Sequence, residues 1–466
     1  MNGSAVVPPS SHPAGLDATT VLTVYIWLLL AIPSPMVVSA LGSAGAPSSI
    51  WAVGMFGLWL WFQVHRDREP FSRPRPVRAA VLWWLLTMLA VYAYAMAVPI
   101  PGDEVSPADN GMLKLVGLAG ILLLANDGIV SVERHRAVVR RLVIGAGIVA
   151  ALGVVQYATK QVIIDRISIP GLAAGTADLA LAERSGLARP SGTSTHPIEY
   201  GIVLTMILPL VIAFAMRARS HRWAYKCALG VVGFAIFLSI SRSAVVCATV
   251  AIAVLALKWT ARTRMKALAA LLALSVVVYL TVPGVLGTIA RLFTGVREDP
   301  SIASRTGSYD LAWQFFSQSP LLGRGFGTFL PKYWILDNGY LGLLLEAGIL
   351  GLVGLGAVII TALSAARRAH ARSVDDLDAA VSQALVAAVA AGAAGLAFFD
   401  TFAFPQSAGT LFLILGLAGA MRRLTDQPVA LDPGARDAPS PGATRQPGAG
   451  APAVAVETEG AGRRDG

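Results

Sequence analysis

Ser304–Gly351 reads SRTGSYDLAWQFFSQSPLLGRGFGTFLPKYWILDNGYLGLLLEAGILG. Its polar first half holds two arginines and a glycine cluster, and its second half turns at Asp337–Asn338 into an apolar run that continues to Leu363. Crossing a bilayer takes about 18 to 20 consecutive apolar residues as a helix, so this run predicts a membrane span entered from a polar loop. The rest of the chain repeats the pattern. With 55% hydrophobic and 14% charged residues and a mean hydropathy of +0.64, the 466 residues have too little polar character for a soluble globule. The fold class is all-α, a polytopic membrane protein.

Working outward, twelve spans are expected, at Thr20–Leu41, Ser49–Val64, Ala79–Val98, Gly111–Ile129, Val138–Ala158, Ile198–Met216, Ala224–Ile240, Ala244–Leu257, Ala267–Val282, Asn338–Leu363, Ala379–Phe399 and Ser407–Met421. Basic residues follow every second span: Arg66, Arg68, Arg73, Arg75 and Arg78; Arg134, Arg136, Arg140 and Arg141; Arg217, Arg219, Arg222 and Lys226; Lys258, Arg262, Arg264 and Lys266; Arg367, Arg368 and Arg372; Arg422 and Arg423. By the positive-inside rule these loops and both termini are cytoplasmic, which places the chain in the cytoplasmic membrane. The same rule explains the net charge of +10 and the pI near 9.9 without a nucleic-acid surface. Residues 1–19 form an N-terminal tail without Lys or Arg, 20–424 the membrane domain, and 425–466 a Pro/Gly/Ala-rich tail expected to be disordered.

On the other, extracytoplasmic side lie two long loops, 159–197 and 283–337, and a short link at Ser241–Arg242. Arg189, Arg242, Arg291, Arg297, Arg305, Arg324 and Lys332 stand there against the orientation rule, which makes them candidates for an anionic ligand. A solvated or snorkelling side chain is the plainer alternative for each. In the second loop Tyr309, Ala312, Trp313 and Phe316 fall on one face of an amphipathic helix beginning near Arg305. Gly323, Gly325 and Gly327 alternate around Arg324, where a missing Cβ permits a sharp turn or the close approach of a ligand. Asp337 and Asn338 suit a helix N-cap, while Glu346, two turns into the apolar run, needs a partner or a polar cavity. The first loop ends in RPSGTSTHPIEYG (189–201), where Pro197 marks a helix start and His196 and Glu199 are the titratable groups. Cys227 and Cys247 both lie in apolar spans and support neither a disulfide framework nor a metal site, and no zinc-hydrolase or nucleotide-binding motif occurs.

Taken in order, RPSGTSTHP before a span, SISRSA between two spans, SRTGSYDLAWQFFSQSPLLGRGFGTF in an external loop and DNGYLGLLLEAGILGL opening the next span resemble the O-antigen ligase/polymerase family, over residues 143–421. The resemblance implies a GT-C-like helical arrangement and a membrane glycosyltransferase. Its partners would be a polyprenyl-diphosphate-linked oligosaccharide donor, a glycan or lipid-linked acceptor and membrane lipid, with no metal or other cofactor. Ligases of that family commonly carry His before this Asn, whereas this chain has Asp337, so polymerisation is favoured over ligation. A polyprenyl diphosphate leaves as an anion without a general acid. The chemistry therefore asks for an arginine clamp (Arg189, Arg242, Arg305, Arg324), with Glu346 also lining the substrate site, and one base, Asp337 or else His196 or Glu199. A lipid-linked glycan flippase or exporter, and a non-catalytic assembly protein, are the competing readings. The concentration of charge on one face, and the lack of a clear internal repeat, favour the enzyme.

Overall fold

A computed structural model describes residues 17–65, 74–162, 169–174, 182–184, 186–294 and 309–426. Arg297, Arg305, the cytoplasmic-loop arginines Arg66, Arg68 and Arg73, and all but the last three residues of the N-terminal tail and the first two of the C-terminal tail fall outside these residues. Among the described residues there are fourteen α-helices: α1 Ala18–Leu30, α2 Pro47–His65, α3 Pro76–Ala97, α4 Gly102–Gly128, α5 Val132–Thr159, α6 Pro197–Arg217, α7 Arg222–Leu238, α8 Arg242–Ala256, α9 Ala261–Thr281, α10 Val285–Thr294, α11 Tyr309–Gln318, α12 Gly339–Arg372, α13 Asp376–Leu396 and α14 Pro405–Thr425. Eight of them, α3–α6, α9 and α12–α14, are long and apolar enough to cross a bilayer, and α1 and α8 are shorter apolar helices. The molecule is an all-α polytopic membrane protein.

Each of the twelve expected spans contains one helix, but the edges differ where polar or cyclic residues decide them. The first is cut to α1 because Pro33 and Pro35 interrupt it, leaving a two-stranded ladder (β1 Met36–Val37 against β2 Ala173–Ala174) and a 3-10 helix at Ser39–Gly45. The fourth starts nine residues early, because GDEVSPADN supplies a helical first turn with Asp103 and Glu104 at its positive end. A hairpin of β3 Ala182–Arg184 and β4 Leu187–Arg189 lies in the first long loop. In the second, the amphipathic helix exists as α11.

Because hydrocarbon gives helices no hydrophobic reason to associate with one another, close packing of small residues carries the contacts. α6, α13 and α14 form the centre and are buried nearly all round. A Cβ on Gly416 of α14 would sit 2.6 Å from the Leu122 carbonyl of α4, and one on Gly120 of α4 would sit 2.6 Å from the Phe56 nitrogen of α2. α9 touches mainly α7 and α10, and Val278 is its one buried residue.

The two ends of the bundle differ in chemistry. At the basic end, loop arginines are paired with aspartates: Arg75 with Asp127 at 2.8 Å, Arg134 with Asp17 at 2.8 Å, Arg136 with Asp378 at 2.5 Å, and Arg372 with Asp426. The opposite end gathers the N-termini of α4, α6, α8, α12 and α14, and with them the candidate residues.

Candidate functional site

The loop before α6 is stapled in place by buried side chains. Gln156 of α5 both donates to the Gly192 carbonyl (2.9 Å) and accepts from its N–H (2.8 Å). Thr193 donates to the Leu30 carbonyl of α1 (2.7 Å), and Gln406 at the start of α14 donates to Thr193 Oγ1 and accepts from Ser194 (2.9 and 2.6 Å). Glu199 is fully buried in this frame. Its carboxylate accepts from the backbone N–H groups of Thr195 (2.9 Å), Gln406 (2.9 Å) and Ser407 (3.3 Å), so it serves the orphan donors at the starts of α6 and α14 together. Both its oxygens are occupied.

His196 is the N-cap of α6, its Nδ1 accepting from Ile198 N–H at 3.2 Å. An Nδ1 that accepts must lack a proton, so the neutral ring carries its hydrogen on Nε2 and offers a donor. Burial, reinforced by the Arg189 guanidinium, pushes the His196 pKa down to about 4. His196 is therefore neutral and poorly arranged to take a proton.

Arg189 closes the hairpin beside it and is only 7% exposed. Its Nε donates to the Ser239 carbonyl at 2.9 Å, where α7 hands over to α8, while Nη2 is buried without a hydrogen-bond partner. Burial and the neighbouring Arg184 pull its pKa down to about 10. Among the described residues no carboxylate pairs with it. The α7–α8 turn is tight, with Ile240 at φ 44°, left-handed for a β-branched residue, and Ser241 capping α8. Half-buried Arg242 follows that cap, three residues from the carbonyl Arg189 holds.

Aromatic rings join this group to a second one. The His196 ring lies 6.4 Å from Phe404, and Phe404 lies 5.5 Å from Phe399, whose carbonyl accepts from Gly339 N–H at 3.2 Å. The cap of α12 is Asn338, which accepts from Tyr340 and Leu341 (3.1 and 3.2 Å), and Asp337 precedes it, half-buried. Asn338, and not Asp337, is thus the N-cap of α12. Asp400, half-buried in the α13–α14 link, caps the 3-10 turn Thr401–Ala403 through Phe402 N–H (3.1 Å). Burial raises its pKa above the ordinary carboxylate value, opposed by Lys114 and assisted by Asp337. Lys114 of α4 donates to the Phe402 carbonyl (3.1 Å) and interacts electrostatically with Asp400 and Glu346. Glu346 accepts from Phe329 N–H (3.1 Å) and also from Gly327, and so binds the glycine loop.

That loop accounts for the three glycines. Gly323, Gly325 and Gly327 all have positive φ (67°, 118° and 84°), and what approaches them is the protein itself. A Cβ on Gly325 would meet Ala95 at 2.7 Å, and one on Gly327 the Pro107 carbonyl at 2.7 Å. Arg324 leaves this loop toward α4, where Nη2 donates to both oxygens of buried Glu104 (2.9 and 2.7 Å). The structure therefore brings Arg189, His196, Glu199 and Arg242 into one group and Asp337 and Glu346 into another. Arg324 is engaged at the rim. Lys114, Asp400 and Glu104 are the residues that the sequence reading missed. A lone lysine or carboxylate beside apolar runs, as in GMLKLVG and AFFDTFAF, is the signal that marks the first two.

Fold and site together define a polytopic membrane protein with an arginine- and carboxylate-bearing face at one end of its bundle. Residues 227–356 match the O-antigen ligase family model, a region running from α7 through the first half of α12 and containing Arg242, Arg305, Arg324, Asp337 and Glu346. This supports an O-antigen ligase-like family for the chain, and with it a membrane protein of glycan processing. No curated protein matches the chain.

Proposed function

We propose that the protein is a metal-independent glycosyltransferase of the cytoplasmic membrane, with both termini cytoplasmic, which extends a polysaccharide on the extracytoplasmic face from a polyprenyl-diphosphate-linked oligosaccharide donor. The observation that carries this reading is Arg189, a buried guanidinium with an unused Nη2 and no carboxylate among the described residues, at the end opposite the paired basic loops. A buried cation left uncompensated is costly unless an anion visits it.

In this reading Arg189 and Arg242, joined by Arg305, hold the donor diphosphate. The acceptor hydroxyl attacks the anomeric carbon, the bond from that carbon to the diphosphate oxygen breaks, and polyprenyl diphosphate leaves as an anion stabilised by the guanidinium groups. The hydroxyl proton passes to the Asp337–Asp400 pair. Two neighbouring half-buried carboxylates share a proton more readily than either alone, and Lys114 limits their mutual repulsion. His196 is left as an Nε2 donor toward substrate, and Glu199 as the fixed joint of α6 and α14. Asp337 in place of the His common among ligases supports polymerisation over ligation.

The test is reconstitution. Purified protein in liposomes, given a synthetic polyprenyl-diphosphate oligosaccharide, is expected to form longer lipid-linked glycan. Absence of product with both a lipid-linked glycan and a lipid-anchored core acceptor contradicts the reading.

A further inference from the structure

Arg324 sits on the face that carries the proposed site, yet its surroundings leave no charge for a diphosphate. Glu104, fully buried in the first turn of α4, accepts from Arg324 Nη2 at 2.9 and 2.7 Å and from the Tyr333 hydroxyl at 2.5 Å. Lys332 bonds Asp103 at 2.6 Å and lies 3.7 Å from Glu104. Two acids and two bases cancel within this cluster. The guanidinium is also walled in by the rings of Phe315 and Tyr333, 4.8 and 4.9 Å from their centroids.

The backbone on either side is held as firmly. α12 is broken at Gly348 (φ 62°, ψ −166°), and the glycine loop supplies hydrogen bonds across the break. Arg324 N–H donates to the Leu345 carbonyl (3.1 Å) and Gly325 N–H to that of Glu346 (2.9 Å). In return Ile349 N–H donates to Pro320 (2.9 Å) and Leu350 N–H to Leu321 (3.2 Å). Irregular backbone at membrane depth needs such internal partners. Residues 319–333 are thereby pinned between α4 and α12, and Tyr333 is four residues from Asp337.

We propose that Glu104 and Arg324 are positioning residues: a buried clasp that fixes the 319–333 loop and, through it, the placement of Asp337. The clasp takes its part in transfer from the proposed glycosyltransferase reading, but its geometry does not depend on that reading. A phosphate ligand and a clasp differ in what they change. Loss of a ligand raises donor KM, whereas loss of a clasp loosens the loop and lowers kcat.

The experiment uses the full chain with Cys227→Ser, spin labels at Val98→Cys and Ile335→Cys, and pulsed electron resonance of the label separation alongside transfer kinetics. Arg324→Gln and Glu104→Gln are each expected to broaden the separation and to lower kcat about tenfold or more, with donor KM within about twofold. The exchange Glu104→Arg with Arg324→Glu is expected to narrow the separation again and recover part of kcat. Tyr333→Phe, which removes one hydroxyl, is expected to broaden it to a lesser degree, and this reports on the clasp even where the exchange does not fold. An unchanged separation in Arg324→Gln and Tyr333→Phe overturns the clasp, as does a rise in donor KM of about tenfold at constant kcat. Should the wild-type protein transfer no glycan, the separations still decide the clasp, and the functional reading alone fails.

Discussion

At the scale of single residues, the proposed acid–base assignment draws on how each carboxylate and the histidine are buried and hydrogen-bonded. Glu199 spends both oxygens on helix starts and His196 spends Nδ1 on a cap, and the proposed mechanism gives the proton to Asp337 and Asp400, which interact electrostatically. Asp337→Asn leaves the Asn338 cap in place and is expected to cut transfer about a hundredfold with normal folding, read as initial rate against thermal midpoint. An unchanged rate moves the base to Asp400. His196 gives a pH prediction with a definite sign. Its pKa, about 4 in the folded protein against an ordinary 6.5, means the unfolded chain binds the proton first as pH falls. Its contribution to stability is complete above about pH 6.5 and is lost progressively toward pH 4. His196→Asn retains a capping side chain, and its thermal midpoint is expected to fall less over that window than the wild type's. Equal slopes contradict the assignment. The sequence made part of this legible. RPSGTSTHP announces a helix start from Pro197 and a cap from His196, because caps are local. It cannot announce that Glu199 meets Gln406, 207 residues away, or that Arg324 meets Glu104, 220 residues away.

At the scale of elements, α12 shows why an apolar run is not a uniform rod. Gly348 adopts a left-handed conformation, and a Cβ there would drive into the Leu321 carbonyl. Gly348→Ala is expected to destabilise by about 1 to 3 kcal/mol and to lower the thermal midpoint in detergent, whereas Gly356→Ala, in open space on the same helix, is expected to leave it unchanged. A matching loss at both positions contradicts a loop-filled break. The glycine cluster was visible in sequence as a place of close approach, but composition does not say what approaches. Here it is α3, α4 and α12 rather than a ligand. Helix positions were legible because hydropathy is averaged over twenty residues. Span ends were less so, since GDEVSPADN reads as a loop until the positive end of α4 is seen to favour its acids.

At the scale of the whole molecule, the account depends on the two ends of the bundle facing different compartments. With Cys227 replaced by Ser, a cysteine at Ile335 is expected to react with a membrane-impermeant thiol reagent in intact cells, and one at Val374 only after permeabilisation; both positions are well exposed, at 68% and 98%. Equal labelling reverses or removes the sidedness. The central claim is that Arg189 holds a diphosphate that departs when a glycosidic bond forms, and the most direct measurement of it is stoichiometry. Reconstituted protein is given donor whose lipid and glycan carry separate labels, and released polyprenyl diphosphate is counted against new glycosidic bonds, for the wild type and for Arg189→Lys. The account predicts one carrier released for each bond formed, with the rate in Arg189→Lys lowered about a hundredfold because lysine lacks the planar fork. Donor that crosses to the other leaflet intact, or an Arg189→Lys protein that releases carrier at the wild-type rate, would contradict it.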